Sequence, residues 1–149
     1  MINTEIDNLY KEIILDHYKN PRNYGRPTRF TTEANGTNPS CGDEVTVYLT
    51  ISQGMITDVN FECSGCAISM ASASIMSENV KFKRLEDALA LSASAQCFLT
   101  TSDNLDYESI KKATDILALA GVRNFPMRIK CATLVWHALD QSIFNISGC

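Results

Sequence analysis

The chain has 149 residues, a formal net charge of −4, and a composition that is 45% hydrophobic and 20% charged. This ordinary globular mixture supplies one core, so we predict a single domain over residues 1–149. The acidic balance excludes a general nucleic-acid binder, whose footprint is a basic surface. No apolar run approaches the roughly 18 residues that a membrane span needs. The acidic first residues do not resemble a signal peptide, so we expect a cytoplasmic protein with no membrane partner.

The first half of the chain predicts a helix followed by a β-hairpin. Residues 4–19 repeat apolar side chains at helical spacing, and the pattern stops before a proline. Residues 21–40 are rich in Pro, Gly, Asn and Thr, which predicts a loop with at most one short edge strand. Apolar residues alternate over 45–52 and again over 55–63, and the Gln53-Gly54 turn between them predicts an antiparallel pair.

The second half of the chain predicts helices only. The apolar patterns favour helices over residues 67–80, 84–98 and 107–119, with Gly121 as a C-cap. Pro126 suits the first turn of a final helix. A hairpin followed by four helices predicts an α+β fold, in which helices pack on one side of a small antiparallel sheet.

The cysteines are the first indication of chemistry. A disulfide scaffold would be smaller and would carry an export signal, so clustered cysteines in this chain point to a metal or to catalysis. The six are Cys41, Cys63, Cys66, Cys97, Cys131 and Cys149.

Three of these cysteines stand in positions that suit metal binding. Cys66 falls where the hairpin ends and a helix begins, and a helix N-terminus lowers the pKa of a thiol. Cys41 and Asp43 lie two apart in a turn, and both residue types ligate zinc. Cys131 shares a helix face with Arg128, whose guanidinium would stabilise a thiolate. The alternatives are a packed thiol at Cys66 or Cys131, a solvated arginine, and an aspartate that caps the turn.

The remaining cysteines favour other interpretations. Cys63 and Cys66 form a C-x-x-C pair, but a thioredoxin-like redox site needs parallel strands, and the predicted hairpin is antiparallel. Cys97 lies in an apolar helix and is predicted to pack, and Cys149 is the terminal residue. The two histidines do not suit a metal site: His17 ends the first helix, where its charge suits the helix dipole.

Four motifs follow one another along nearly the whole chain: ILDHYKNPRN (14–23), NPSCGD (38–43), GCAISMASASIM (65–76) and FPMRIKCATLVWHAL (125–139). Together they resemble the U-type iron–sulfur cluster assembly proteins, a family that includes IscU, SufU and the N-terminal domain of NifU. The chain is more similar to the SufU type. Lys130 stands where IscU proteins have a histidine, and residues 81–121 look like the insertion that SufU proteins carry.

The resemblance implies a SufE/NifU-like fold and a set of site residues. Cys41, Asp43, Cys66 and Cys131 match the four metal ligands of the family, which hold Zn²⁺ in SufU-type proteins. Cys41 also matches the sulfur acceptor, and Arg128 matches an arginine that contacts the partner. Cys63 departs from the family pattern, and we interpret it as a bystander.

The implied function is a zinc-dependent acceptor and carrier of persulfide sulfur. The sulfur would come from a SufS-type cysteine desulfurase and pass towards a downstream SUF cluster-assembly scaffold. Such a protein is a sulfurtransferase-like acceptor rather than a stand-alone enzyme. Two alternatives remain: a scaffold that assembles a [2Fe–2S] cluster on the same residues, and a purely structural zinc module.

Overall fold

A computed structural model describes residues 4–100 and 110–147 of the chain. Its elements in chain order are α1 (Thr4–Lys19), β1 (Thr32–Asn38), β2 (Asp43–Ser52), β3 (Met55–Ser64), α2 (Ala67–Val80), α3 (Leu85–Thr100), a 3-10 helix (Ile116–Asn124) and α4 (Pro126–Ser147).

The three strands form one antiparallel sheet in the order β1-β2-β3. Alternation along the strands turns Val45, Val47 and Leu49 inward, where they join the main hydrophobic core with residues of α2 and α4. On the opposite face Tyr48 is covered by Phe30 and Arg26 from the loop after α1. The predicted α+β architecture, with helices on one side of a small sheet, is confirmed.

The edge strand that the sequence allowed within residues 21–40 is β1. It pairs with β2 along its whole length, from Thr32 opposite Leu49 to Asn38 opposite Asp43. Its sequence, TEANGTN, has almost no apolar alternation, because the strand lies at the sheet edge and turns only small or polar side chains inward. The pairing sets Asn38 and Asp43 at the two ends of a tight turn.

Helix α2 runs through the middle of the helical layer. Most of its side chains are buried, and it contacts α1 and α4 as well as β3. Its many alanines and serines lie on several faces of the helix and allow these close approaches. Small residues on one face alone would allow only one neighbour to approach closely. One of its serines links α2 to the backbone of α4: the Ser72 hydroxyl donates to the Ala132 carbonyl at 2.6 Å.

The predicted helix over residues 107–119 is wrong at its C-terminal end. Residues 107–109 lie outside the described ranges, the helix ends at Lys111, and the 3-10 helix begins at Ile116. Gly121 lies inside the 3-10 helix and caps nothing. A long-range contact explains the break, since the Asn79 side chain binds both the N–H and the carbonyl of Thr114 at 2.8 Å.

Candidate metal centre

The four predicted site residues come from three separate parts of the fold. Cys41 lies in the β1–β2 turn, Asp43 begins β2, Cys66 directly precedes α2, and Cys131 lies in α4. The ligand atoms of Cys41, Asp43 and Cys131 all lie within 4.8 Å of one another. Cys66 joins them through Asp43, with its Sγ 3.9 Å from Asp43 Oδ2. The structure therefore brings all four side chains together.

The turn that carries Cys41 is shaped by its own short sequence. Gly42 has a φ of +72°, a conformation that favours glycine, and the Asn38 carbonyl accepts the N–H groups of Cys41 and Gly42 at 3.2 and 2.9 Å. The Asn38 side-chain amide donates to Cys41 Sγ at 3.4 Å, and Cys131 Sγ lies 3.6 Å from the same sulfur. Cys41 is half-buried, so its thiol remains open to an incoming group.

Asp43 is held much more firmly than Cys41. Its side chain is buried, Oδ1 accepts the N–H of Cys66 at 3.0 Å, and Oδ2 accepts the hydroxyl of Ser69 at 2.7 Å. Gly65 makes this geometry possible, because a Cβ added there would stand 2.2 Å from Asp43 Oδ1. The carboxylate is therefore fixed at both oxygens.

The site is electrostatically uneven. Burial opposes ionisation of Asp43, but hydrogen bonds from Cys131, Ser69 and the Cys66 backbone together hold its pKa below the usual value. Burial also opposes ionisation of Cys66, yet the hydrogen bonds of Ser69 lower the pKa of that thiol. Burial and the hydrogen bond to Asp43 raise the pKa of Cys131. Without a cation, Cys66 is thus easier to ionise than Cys131.

Arg128 lies near the thiols and also lines an apolar cavity. Arg128 is exposed on α4, and the charges of Cys66 and Cys131 raise its pKa, so the guanidinium faces the site. Arg128 also lines a cavity of about 280 Å³ with Ile14, Ile68, Ala118, Gly121, Val122 and Phe125. Phe125 and Met127 are 60% and 56% exposed, which is high for large apolar side chains. These exposed apolar side chains suit contact with another protein.

The other cysteines stand apart from this chemistry. Cys63 is buried in the core, and burial raises its pKa to about 12. It remains a neutral thiol, which supports its interpretation as a bystander and argues against a redox pair with Cys66. Cys97 is half-buried on α3, and Cys149 lies outside the described residues.

A second polar group, His17 with Glu78 and Asp115, also has the residue types that bind a cation. The imidazole is buried, where the sequence suggested only a charge at a helix end. Its Nε2 lies 2.8 Å from Asp115 Oδ2 and 3.6 Å from Glu78 Oε1, and its Nδ1 lies 2.7 Å from Ser74 Oγ. Both ring nitrogens already have protein partners, so the group is explained as a buried link between α1, α2 and the segment before the 3-10 helix.

Three residues of the centre were not found by sequence reasoning. Asn38, Gly65 and Ser69 touch the predicted ligands or make room for them, but none is itself a typical ligand. The one available signal was the placement of Gly65 directly before Cys66 at a strand–helix junction, where glycine often allows a close approach.

The donor set fits a thiophilic cation. Three thiols and a carboxylate are ligands that zinc takes in tetrahedral sites, and thiolates are also the ligands of iron–sulfur clusters. The buried Asp43 carboxylate supports this fit, because a buried negative charge needs a compensating partner.

Among the described residues, no helix has the length and apolar character needed to cross a membrane.

Known proteins are similar to this chain in sequence and in fold. The sequence model of one protein family, the NifU-like N terminal domain, matches residues 9–132. The zinc-dependent sulfurtransferase SufU of Bacillus subtilis (strain 168) is 40% identical over 98% of this chain and 97% of its own length. The iron–sulfur cluster assembly scaffold protein IscU of Thermotoga maritima is 35% identical over 93% of this chain and 95% of its own.

A solved structure agrees with these matches. The crystal structure of a putative iron–sulfur cluster assembly scaffold protein for the SUF system from Fervidobacterium islandicum AW-1 superposes with a TM-score of 0.77 at 34% identity. It covers 89% of this chain and 94% of its own. Since the family model spans most of the chain and the relatives align nearly end to end, this chain belongs to the family of NifU-like N-terminal domains.

Proposed function

We propose that this protein works in iron–sulfur cluster assembly as a zinc-dependent acceptor and carrier of persulfide sulfur. The observation that carries the proposal is the convergence of Cys41, Asp43, Cys66 and Cys131 at one point of the fold. The SufU relative, whose name describes a zinc-dependent sulfurtransferase, supports it. The four side chains would hold Zn²⁺, with Cys41 also acting as the sulfur acceptor.

The unequal anchoring of the ligands suits this role. Bound zinc would supply a positive charge that keeps the thiols deprotonated. The Cys41 side chain has only long contacts, at 3.4 and 3.6 Å from its sulfur, and it lies at a half-buried turn, which suits it to react. Asp43, fixed at both oxygens, stays in place.

The sulfur transfer balances without an added oxidant or reductant. The Cys41 thiolate attacks the outer sulfur of a persulfide on the donor protein. A new sulfur–sulfur bond forms to Cys41, the donor's own sulfur–sulfur bond breaks, and the donor cysteine leaves as a thiolate. Cys41 then carries the persulfide, and a second thiol can remove the outer sulfur by the same exchange.

The partner that fits this chemistry is a cysteine desulfurase of the SufS type, with a downstream SUF scaffold as recipient. The exposed Phe125 and Met127, which lie just before Arg128 along the chain, would bury surface on docking, and Arg128 would contact the partner or its anionic persulfide. Sulfur would pass between cysteines at the protected centre of this interface.

Cys41→Ala tests the proposal. The variant, mixed with a SufS-type desulfurase and cysteine, is expected to lose both stimulation of alanine release and the mass increase of one sulfur atom. Cys97→Ala, which changes a half-buried cysteine on α3, is the matched control and should behave as wild type. Full stimulation and sulfur loading of Cys41→Ala would contradict the assignment.

The alternative function is a scaffold for a [2Fe–2S] cluster, favoured by the IscU relative. A purely structural zinc module is less consistent with the half-buried Cys41 and with a carboxylate among the ligands. Elemental analysis of the wild type and of Asp43→Ala distinguishes sulfur transfer from cluster assembly. Near-stoichiometric zinc, weakened in the variant, supports sulfur transfer, whereas iron with acid-labile sulfide supports the scaffold.

A further inference from the structure

Ser69 touches every element of the centre except the Cys41 turn. It lies in the first turn of α2 and is buried at 3% exposure. Its Oγ is 2.7 Å from Asp43 Oδ2, 3.6 Å from Cys66 Sγ and 3.5 Å from the Cys131 carbonyl oxygen. One hydroxyl thus connects the start of β2, the start of α2 and helix α4.

A serine hydroxyl has one proton to donate, and the geometry shows where it goes. The carboxylate of Asp43 is the strongest acceptor of the three, and it is the nearest. With the Cys66 N–H on the other oxygen, this bond prevents the carboxylate from rotating about its Cβ–Cγ bond. The thiols that also donate to this carboxylate would lose their protons on binding a cation, so the bonds from Ser69 and the Cys66 N–H restrain Asp43 without blocking a cation.

We propose that Ser69 is a positioning residue, whose hydroxyl fixes the Asp43 carboxylate in the orientation in which it serves as a ligand of the metal centre. This inference rests on the proposed function, since it assumes a metal at the four side chains. A free carboxylate would be a loosely held ligand that leaves readily. The Ser69 hydroxyl removes that freedom in advance, and its main path to the metal is Asp43, since its contact with Cys66 Sγ is longer, at 3.6 Å against 2.7 Å.

A double-mutant cycle tests the inference. Zinc affinity and the rate of zinc transfer to excess chelator are measured for wild type, Ser69→Ala, Asp43→Ala and the double variant. Loss of the Ser69 hydroxyl is expected to weaken zinc binding by about 10–100-fold, the usual effect of removing a group that orients a ligand. In the Asp43→Ala background the same change should have a much smaller effect, because the carboxylate that Ser69 positions is gone and only the longer contact with Cys66 Sγ is lost.

Ser72→Ala is the matched control. Ser72 is buried one turn further along α2 and donates to the Ala132 carbonyl, without a contact to the ligands. It should lose stability in urea yet keep wild-type zinc transfer. Ser69→Thr, which keeps the hydroxyl, should restore part of the affinity.

The unfavourable results are distinguishable. If Ser69→Ala weakens zinc binding equally with and without Asp43, or if Ser72→Ala weakens it as much, Ser69 acts through general packing and the inference fails while the metal centre stands. If the wild type retains neither Zn²⁺ nor added Co²⁺, the proposed function fails and this inference fails with it.

Discussion

Gly65→Ala is the sharpest test of the geometry of the centre. The new Cβ would stand 2.2 Å from Asp43 Oδ1, 2.8 Å from Cγ and 3.1 Å from Cβ. An unstrained carbon–oxygen contact needs more than 3 Å, so the carboxylate must move by roughly 1 Å. That displacement breaks the bond from the Cys66 N–H, and a hydrogen bond to a charged group contributes about 1.5–3 kcal/mol.

Two measurements follow from this displacement. The free energy of unfolding in urea, measured without metal, should fall by about 1.5–3 kcal/mol. Zinc affinity, measured against a chelator, should fall about 10–100-fold. Gly121→Ala is the control, because no atom lies within 4 Å of a Cβ added there. Wild-type zinc affinity and stability in Gly65→Ala would refute the close approach of Gly65 to Asp43.

Three further outcomes follow from the structure. Burial raises the pKa of Cys63 from 9.0 to about 12, so the free energy of unfolding should fall as pH rises from about 9 to 12. In urea titrations, Cys63→Ala should remove up to about 4 kcal/mol of that fall. An identical pH dependence in the variant would contradict the buried neutral thiol. Asp115→Ala leaves Nε2 of the buried His17 without its nearest partner and should cost about 1–3 kcal/mol in urea, whereas Asp16→Ala, at an exposed position, should change little. Arg128→Ala should keep its zinc but lose stimulation of the desulfurase, and normal stimulation would remove Arg128 from the interface; Lys130→Ala is the neighbouring control.

The hairpin and most helices could be predicted because their signals are local. Strands β2 and β3 alternate and meet at a two-residue turn, and Pro126 begins α4. The break between Lys111 and Ile116 could not be predicted, because its causes are distant in sequence. Asn79 replaces helical backbone bonds at Thr114, and the next residue, Asp115, adopts a φ of +63° while it binds His17. An apolar pattern carries no information about such contacts.

The ligands of the centre could be predicted from the sequence, whereas the residues that support them could not. Cysteine and aspartate have their own affinity for metals, so residue type and position at a turn or helix start were informative. Ser69 and Gly65 owe their roles mainly to their contact with Asp43, which lies 26 and 22 positions away along the chain. From the sequence alone, a serine in an alanine-rich helix is expected to serve packing. Their roles became visible only when the distances to Asp43 were known.

The span of the centre along the chain has a consequence for the lifetime of the protein. Cys41 and Cys131 are 90 positions apart, so a cation bound to both closes a loop that contains most of the chain. Unfolding separates these residues and releases the cation, so free cation at about 100 times its dissociation constant would stabilise the folded chain by about 2.7 kcal/mol. The empty protein would therefore open more often than the loaded one. Proteases, which cut opened chains, would remove empty copies first and leave a population enriched in loaded protein.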